Sequence, residues 1–260
     1  MNEDPKKWIY YAVPIAVAVA LAGALYYGKR HKEQETAPAT VAEEPIAPAV
    51  DEPVHHPIET PPSEEPLPTL AESDEPLQQS LREIFGAAVD RYLVPKDIVR
   101  RFVVTIDNLP RKKTAIDRWP VKPLGGEFRT SGTEDIVLSP ANAERYKIVV
   151  QLFVSTDTQR LVALYKRFYP LLQQAYVDLG YPEGYFNNRL IEVIDHLLET
   201  PEIEGPIRLV QPGVFYAFAD PSLESRSSGQ KLLLRMGNEN AAEVKLKLRE
   251  IRREIAQRDR

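Results

Sequence analysis

Cysteine is absent from all 260 residues. That excludes disulfides, thiolate zinc sites and a cysteine nucleophile, and it is compatible with an oxidising compartment without requiring one. Histidine is scarce, with only His31, His55, His56 and His196. Residues 33–76 contain no Lys or Arg and few large apolar side chains. No internal repeat is present. A dense basic stripe is also missing: residues 77–260 hold 28 basic and 24 acidic side chains. So mild an excess excludes a dedicated nucleic-acid binder, and no nucleic-acid partner is expected.

What is present is divided into three unlike segments. Residues 1–32 carry a net +3, residues 33–76 a net −12 and residues 77–260 a net +4. Within the first lies Trp8 to Tyr27, an uncharged run of 20 residues, which as a helix reaches about 30 Å, one hydrocarbon thickness. Trp8, Tyr10 and Tyr11 crowd one end and Tyr26 and Tyr27 the other, where amphipathic rings settle at headgroup level. The reading is a transmembrane helix over 8–27, contacting the lipid bilayer, with residues 1–7 as a cytoplasmic N-terminus. Small-x-small triplets near Ala22 would suit a cleaved signal peptide. The length of the run, the two aromatic belts and the basic cluster after it favour a retained anchor.

Residues 28–76 read as a basic flank and a disordered Pro/Glu linker. Ten prolines and twelve acidic residues between 33 and 76 leave no material for a core. Fully extended as polyproline II, that stretch would span roughly 130 Å. Residues 77–260 read as a compact, mainly α domain with a minor β element. Asp74 is expected to cap a helix whose inner face is Leu77, Leu81, Phe85, Ala88 and Tyr92. A second helix follows Pro95 as far as Leu109. Ser139-Pro140 opens a third, and Thr156 or Asp157 caps a fourth that Pro170 should kink or split and Gly180 should end. A fifth covers Tyr185 to Glu199, a short one Gln230 to Met236, and the last runs from Asn240 with Val244, Leu248, Ile251 and Ile255 beneath a charged face. A short β-hairpin is expected from Ile207 to Val210 and Val214 to Phe218, and a second turn at Ser131-Gly132-Thr133.

Several local strings occur together: Asp107-Asn108-Leu109-Pro110-Arg111, Trp119-Pro120-Val121, Leu138-Ser139-Pro140-Ala141-Asn142, Tyr185-Phe186-Asn187-Asn188-Arg189-Leu190, Phe218-Ala219-Asp220-Pro221, and Gly229-Gln230-Lys231 leading to Arg235-Met236-Gly237. In this order the chain resembles, over residues 77–255, an uncharacterised proteobacterial family of membrane-anchored proteins known as a domain of unknown function (DUF3014). The resemblance implies a Gram-negative envelope protein and carries no activity, cofactor or catalytic residue with it. The family pattern leads one to expect Asp where this chain has Asn188.

Candidate chemistry is sparse. The polar set Tyr185, Asn187, Asn188 and Arg189, with Tyr181 nearby, suits binding of a carboxylate or sugar hydroxyls, because Arg offers a planar fork and aromatic faces stack. The bland alternative is helix capping plus a surface arginine. Glu192 precedes His196 by one turn, so the pair admits a general base oriented by a carboxylate, against a locally hydrogen-bonded helix histidine. His55-His56 with Glu59 lie in the linker without fixed geometry, and no metal site or cofactor is expected. Ser228-Gly229-Gln230-Lys231 lacks the glycine spacing of a phosphate loop and reads as a loop entering a helix. Arg111, Lys112 and Lys113 read as a solvated loop, and Arg235 as a cation on the last carbonyls of a helix.

The functional expectation is an inner-membrane, single-pass envelope protein with its C-terminal domain in the periplasm, acting as a binding or scaffold module for another envelope protein or peptidoglycan. A cell-envelope hydrolase using carboxylate and histidine chemistry, and a cytoplasmic membrane-tethered adaptor, are the alternatives.

Overall fold

The computed structural model describes residues 54–59 and 66–256. The expected anchor over 8–27, its orientation, and most of the expected linker lie outside the described residues. Among the described residues no helix is long and apolar enough to cross a membrane.

The chain from Leu70 onward is mainly helical. A single 3-10 turn leads into α1 (Asp74–Phe85), followed by α2 (Ala88–Tyr92) and α3 (Ile98–Asn108). Then come α4 (Ala141–Val154), α5 (Thr158–Asp178), α6 (Phe186–Leu198), α7 (Pro221–Glu224), α8 (Ser228–Arg235) and α9 (Asn238–Ala256). The one helix expected from Asp74 through Tyr92 is broken. Gly86 takes φ 57°, a conformation that glycine alone adopts freely, and its N–H closes α1 on the Arg82 carbonyl. Asp74 does not cap its own helix either. Its carboxylate accepts the N–H groups of Asp97 and Ile98, both at 2.8 Å, and so caps α3. The partner is 23 residues away, beyond any local pattern.

The expected cap at Asp157 is present, its carboxylate accepting the Arg160 N–H at 2.9 Å. Pro170 does not split the helix, for α5 is continuous through it. Position 170 is exposed, so water can satisfy the carbonyl that the proline leaves without a donor.

Helix α9 is the hub, packing on α4, α5, α6 and α8, while α3 packs on α5 and α6. Its charged face is not all solvated. Lys247 is buried and donates to the Thr156 carbonyl (2.8 Å), Thr158 Oγ1 (2.9 Å) and Glu250 (3.0 Å). Lys245, also buried, donates to the Thr200 carbonyl. Both acceptors lie just past the ends of α4 and α6, where carbonyls lack intrahelical donors and the dipole favours a cation. Burial holds the Lys245 ammonium below the usual lysine range.

The expected hairpin is present, and the expected turn after Ser131 belongs to a second one. β1 (Thr130–Ser131) pairs with β2 (Val137–Leu138), and β3 (Leu209–Val210) with β4 (Ala217–Phe218), all antiparallel. The Leu138 N–H donates to Ile207 and the Leu209 N–H to Ile136, which ties the hairpins edge to edge. Beneath them Leu209, Phe218, Leu223 and Leu234 form a small second core. The Arg235 guanidinium stacks over Phe218, with its carbon 5.4 Å from the ring centroid, rather than on helix carbonyls as expected. Burial lowers its pKa, and its Nε has no hydrogen-bond partner.

The main core holds an apolar cavity of about 220 Å³, partly open to solvent, bordered by side chains of α1, α3, α4, α5, α6 and α9.

Burial also sets an alkaline limit on the fold. Tyr146 on α4 is 2% exposed, and burial pushes its phenol up to about 12. Between about pH 10, where an unfolded tyrosine loses its proton, and the folded value, only the folded state keeps it. Stability from this group is therefore intact below about pH 10 and declines by about 3 kcal/mol as pH rises through the window. Tyr146→Phe is expected to flatten that decline in denaturant titrations. An unchanged slope would rule Tyr146 out as its source.

Candidate functional site

Of the sequence-selected residues, Tyr185, Asn187 and Asn188 are brought together at the start of α6, and they already hold a ligand of a kind. Residues 54–59, from within the expected linker, lie against them. Asn188 Oδ1 accepts the N–H groups of His55 and His56, each at 3.2 Å. The Tyr185 hydroxyl accepts the Ile58 N–H at 2.7 Å. Asn187 Nδ2 donates to the His56 carbonyl at 2.9 Å. Ile58 also packs on the main core. Every one of these bonds reads main chain, and the segment bends at His55 and His56 so that two successive N–H groups face one oxygen.

The site is rigid because its side chains are tied from behind. Asn187 is 0% exposed; besides His56 it donates to the Ile255 carbonyl near the end of α9 (3.0 Å) and accepts from the Tyr165 hydroxyl (2.9 Å). Tyr169 accepts the Asn187 N–H at 3.3 Å and donates to Gln173, whose amide bonds Gly184 and Phe186. The rings of Tyr165, Tyr169 and Tyr185 follow one another at 5.6 Å centroid spacing. Burial raises the Tyr165 and Tyr169 phenols well above the usual range, so both stay protonated donors near neutral pH. The acceptor role of Asn188 needs only an oxygen.

Arg189 turns away from this cluster. Its Nε donates to Asp107 Oδ1 (3.0 Å), one terminal nitrogen to the Asp107 carbonyl (3.0 Å) and the other to Glu192 (3.2 Å). Asp107 is buried and also accepts from Arg111 (2.7 Å) and Tyr181 (3.2 Å). Burial opposes the charge on Arg189, and Asp107 and Glu192 more than offset it. Arg111 is therefore not merely part of a solvated loop. The set expected as one pocket divides into a main-chain clamp (Tyr185, Asn187, Asn188) and an ionic staple joining α3 to α6 (Arg189).

Glu192 is accordingly engaged by Arg189, not aligned on His196. His196 Nε2 lies 2.8 Å from Ser227 Oγ, a contact that the sequence offered no means of foreseeing. The same hydroxyl accepts the Gln230 N–H and caps α8. The neighbouring N–H groups that an oxyanion would need are occupied: Ser228 donates to Arg111 and Gly229 to Leu109. Ser228-Gly229-Gln230-Lys231 is thus the first turn of a helix. A Cβ at Gly229 would fall 2.6 Å from Leu197 Cδ2 and 3.2 Å from the Leu109 carbonyl oxygen, so a larger residue there has to displace the Leu197 methyl. Among the described residues no three His, Asp or Glu side chains converge as a metal set, His55, His56 and Glu59 included.

No curated protein and no solved structure matches the chain. A family does: the one described as protein of unknown function (DUF3014) covers residues 98–252, from the start of α3 into α9. That span is more than half of the chain and contains the clamp, the ionic staple and most of the hub helix, and the chain belongs to the DUF3014 family.

Proposed function

We propose that this protein is a membrane-tethered binding module of the Gram-negative envelope. Residues 8–27 span the inner membrane, the chain from 28 to the 3-10 turn at Leu70 is a spacer interrupted by the docked residues 54–59, and the C-terminal domain works in the periplasm. It binds a short, bent main-chain segment of another envelope protein in the clamp formed by Tyr185, Asn187 and Asn188. The observation that carries this reading is that the clamp holds main-chain groups of His55, His56 and Ile58. Residues 54–59 then act as a placeholder that a partner segment displaces. The long acidic spacer supports the reading, since acidic chain is repelled by anionic lipid and lets a domain stand off from the bilayer.

The test is photo-crosslinking in intact cells from position 183, where Glu183 is exposed beside the clamp. A discrete adduct is expected, strengthened severalfold by Ile58→Pro, which removes the N–H donated to Tyr185. Failure to obtain any adduct above background in either background would defeat the reading. Placement is checked separately with Ser222→Cys in this cysteine-free chain. A thiol reagent that cannot enter the cytoplasm should label it in intact cells; protection until the inner membrane is broken would move the domain to the cytoplasm.

A further inference from the structure

The core cavity has a lining of one chemical kind. Leu, Ile, Val and Phe side chains of six helices border it, with no charged residue among them. The sole phenol in the lining, Tyr165, donates its hydroxyl to Asn187. A ligand here finds no hydrogen-bonding group and must be apolar over its whole inserted length. Side chains of α1, α3, α4, α5, α6 and α9 border the void, and its volume is modest. An apolar lining that is partly open to solvent suits an amphiphile that inserts an apolar tail. An engineered apolar cavity of ~150 Å³ stays dry and takes benzene, so by proportion 220 Å³ accommodates about nine carbon atoms. Half-buried Leu81, Phe102, Leu161 and Leu164 lie in its lining, and the cavity opens partly to solvent, giving a chain a way in and leaving a polar head outside.

We propose that this cavity is a binding site for a single alkyl chain, the tail of a fatty acid or of a bilayer lipid. The occupied protein has a filled core, and the empty one carries an unfilled void. The proposal does not depend on the peptide clamp, which lies outside the cavity's lining.

The full chain, reconstituted in nanodiscs of dimyristoylphosphatidylcholine, is photolysed with decanoic acid bearing a terminal diazirine. A second arm uses phosphatidylcholine with the same group in its acyl chain, and adducts are mapped by mass spectrometry. Label is expected on peptides of α5 and α6, competed by unlabelled decanoate and not by butyrate. Val162→Phe and, independently, Val193→Phe place a larger ring in the void and should lower the label by roughly tenfold. Labelling by the free acid alone identifies a soluble amphiphile, and labelling by the phospholipid alone identifies the bilayer as source; either supports the site. Label confined to residues 8–27 or to the outer surface, or undiminished in both Phe variants, overturns it. Since either variant is at risk of misfolding, the unmodified chain is also melted with straight-chain acids from butyrate to dodecanoate. Its midpoint should climb with chain length and level off near ten carbons, about the capacity of the void. A flat series would overturn the proposal on its own.

Discussion

Asp107→Ala is expected to destabilise the domain by about 3–5 kcal/mol, the usual cost of removing one partner of a buried ion pair. The substitution leaves Arg189, whose side chain is 24% exposed, without its principal counter-charge, and strips an acceptor from Tyr181. Arg111 contributes little to this cost, since its side chain is 54% exposed and solvent screens it. Most of the loss belongs to the stranded guanidinium, so it should be recovered in part by Asp107→Ala combined with Arg189→Met. Denaturant unfolding of the two single variants and the double variant measures the coupling directly. A loss below about 1 kcal/mol for Asp107→Ala, or strict additivity in the cycle, would mean that α3 and α6 are joined by packing alone.

Asn187→Leu is the second substitution with a large expected effect. It keeps the branching of the side chain while removing the donor to Ile255 and His56 and the acceptor for Tyr165. Each buried group left unsatisfied costs about 1–3 kcal/mol. A total loss of about 3 kcal/mol is expected. The more specific signature is local: residues 54–59 should come off the domain while α6 stays folded. Amide hydrogen exchange at His55, His56 and Ile58 reports this, with protection lost in the variant and retained in the parent. Loss of protection throughout α6 and α9 instead would identify Asn187 as a purely structural residue.

Helices α3 to α6 were legible because their cues are local. Periodic apolar positions, Asp157 ahead of α5 and Gly180 behind it are all within a turn of what they specify. The break at Gly86 was not read, because Leu77, Leu81, Phe85, Ala88 and Tyr92 keep helical spacing across it and an isolated glycine is tolerated within a helix. Helix α7 was missed because four residues carry no period, although Asp220-Pro221 is a sound start signal. The polar cluster at the start of α6 was found from residue type alone. Its division into clamp and staple was not, since Arg189 meets Asp107 82 residues away.

The sequence by itself determined the α-rich class, the family, the placement of the longer helices and the charge asymmetry between segments. All of these follow from short-range periodicity, capping and composition. Tertiary structure alone decided that Asp74 caps α3, that Lys245 and Lys247 serve the ends of other helices, and that six residues of a Pro/Glu-rich stretch dock on Asn187 and Asn188. The last has a plain physical reason. The clamp reads backbone N–H and C=O groups, which nearly every residue carries, so no side chain in residues 54–59 could announce it.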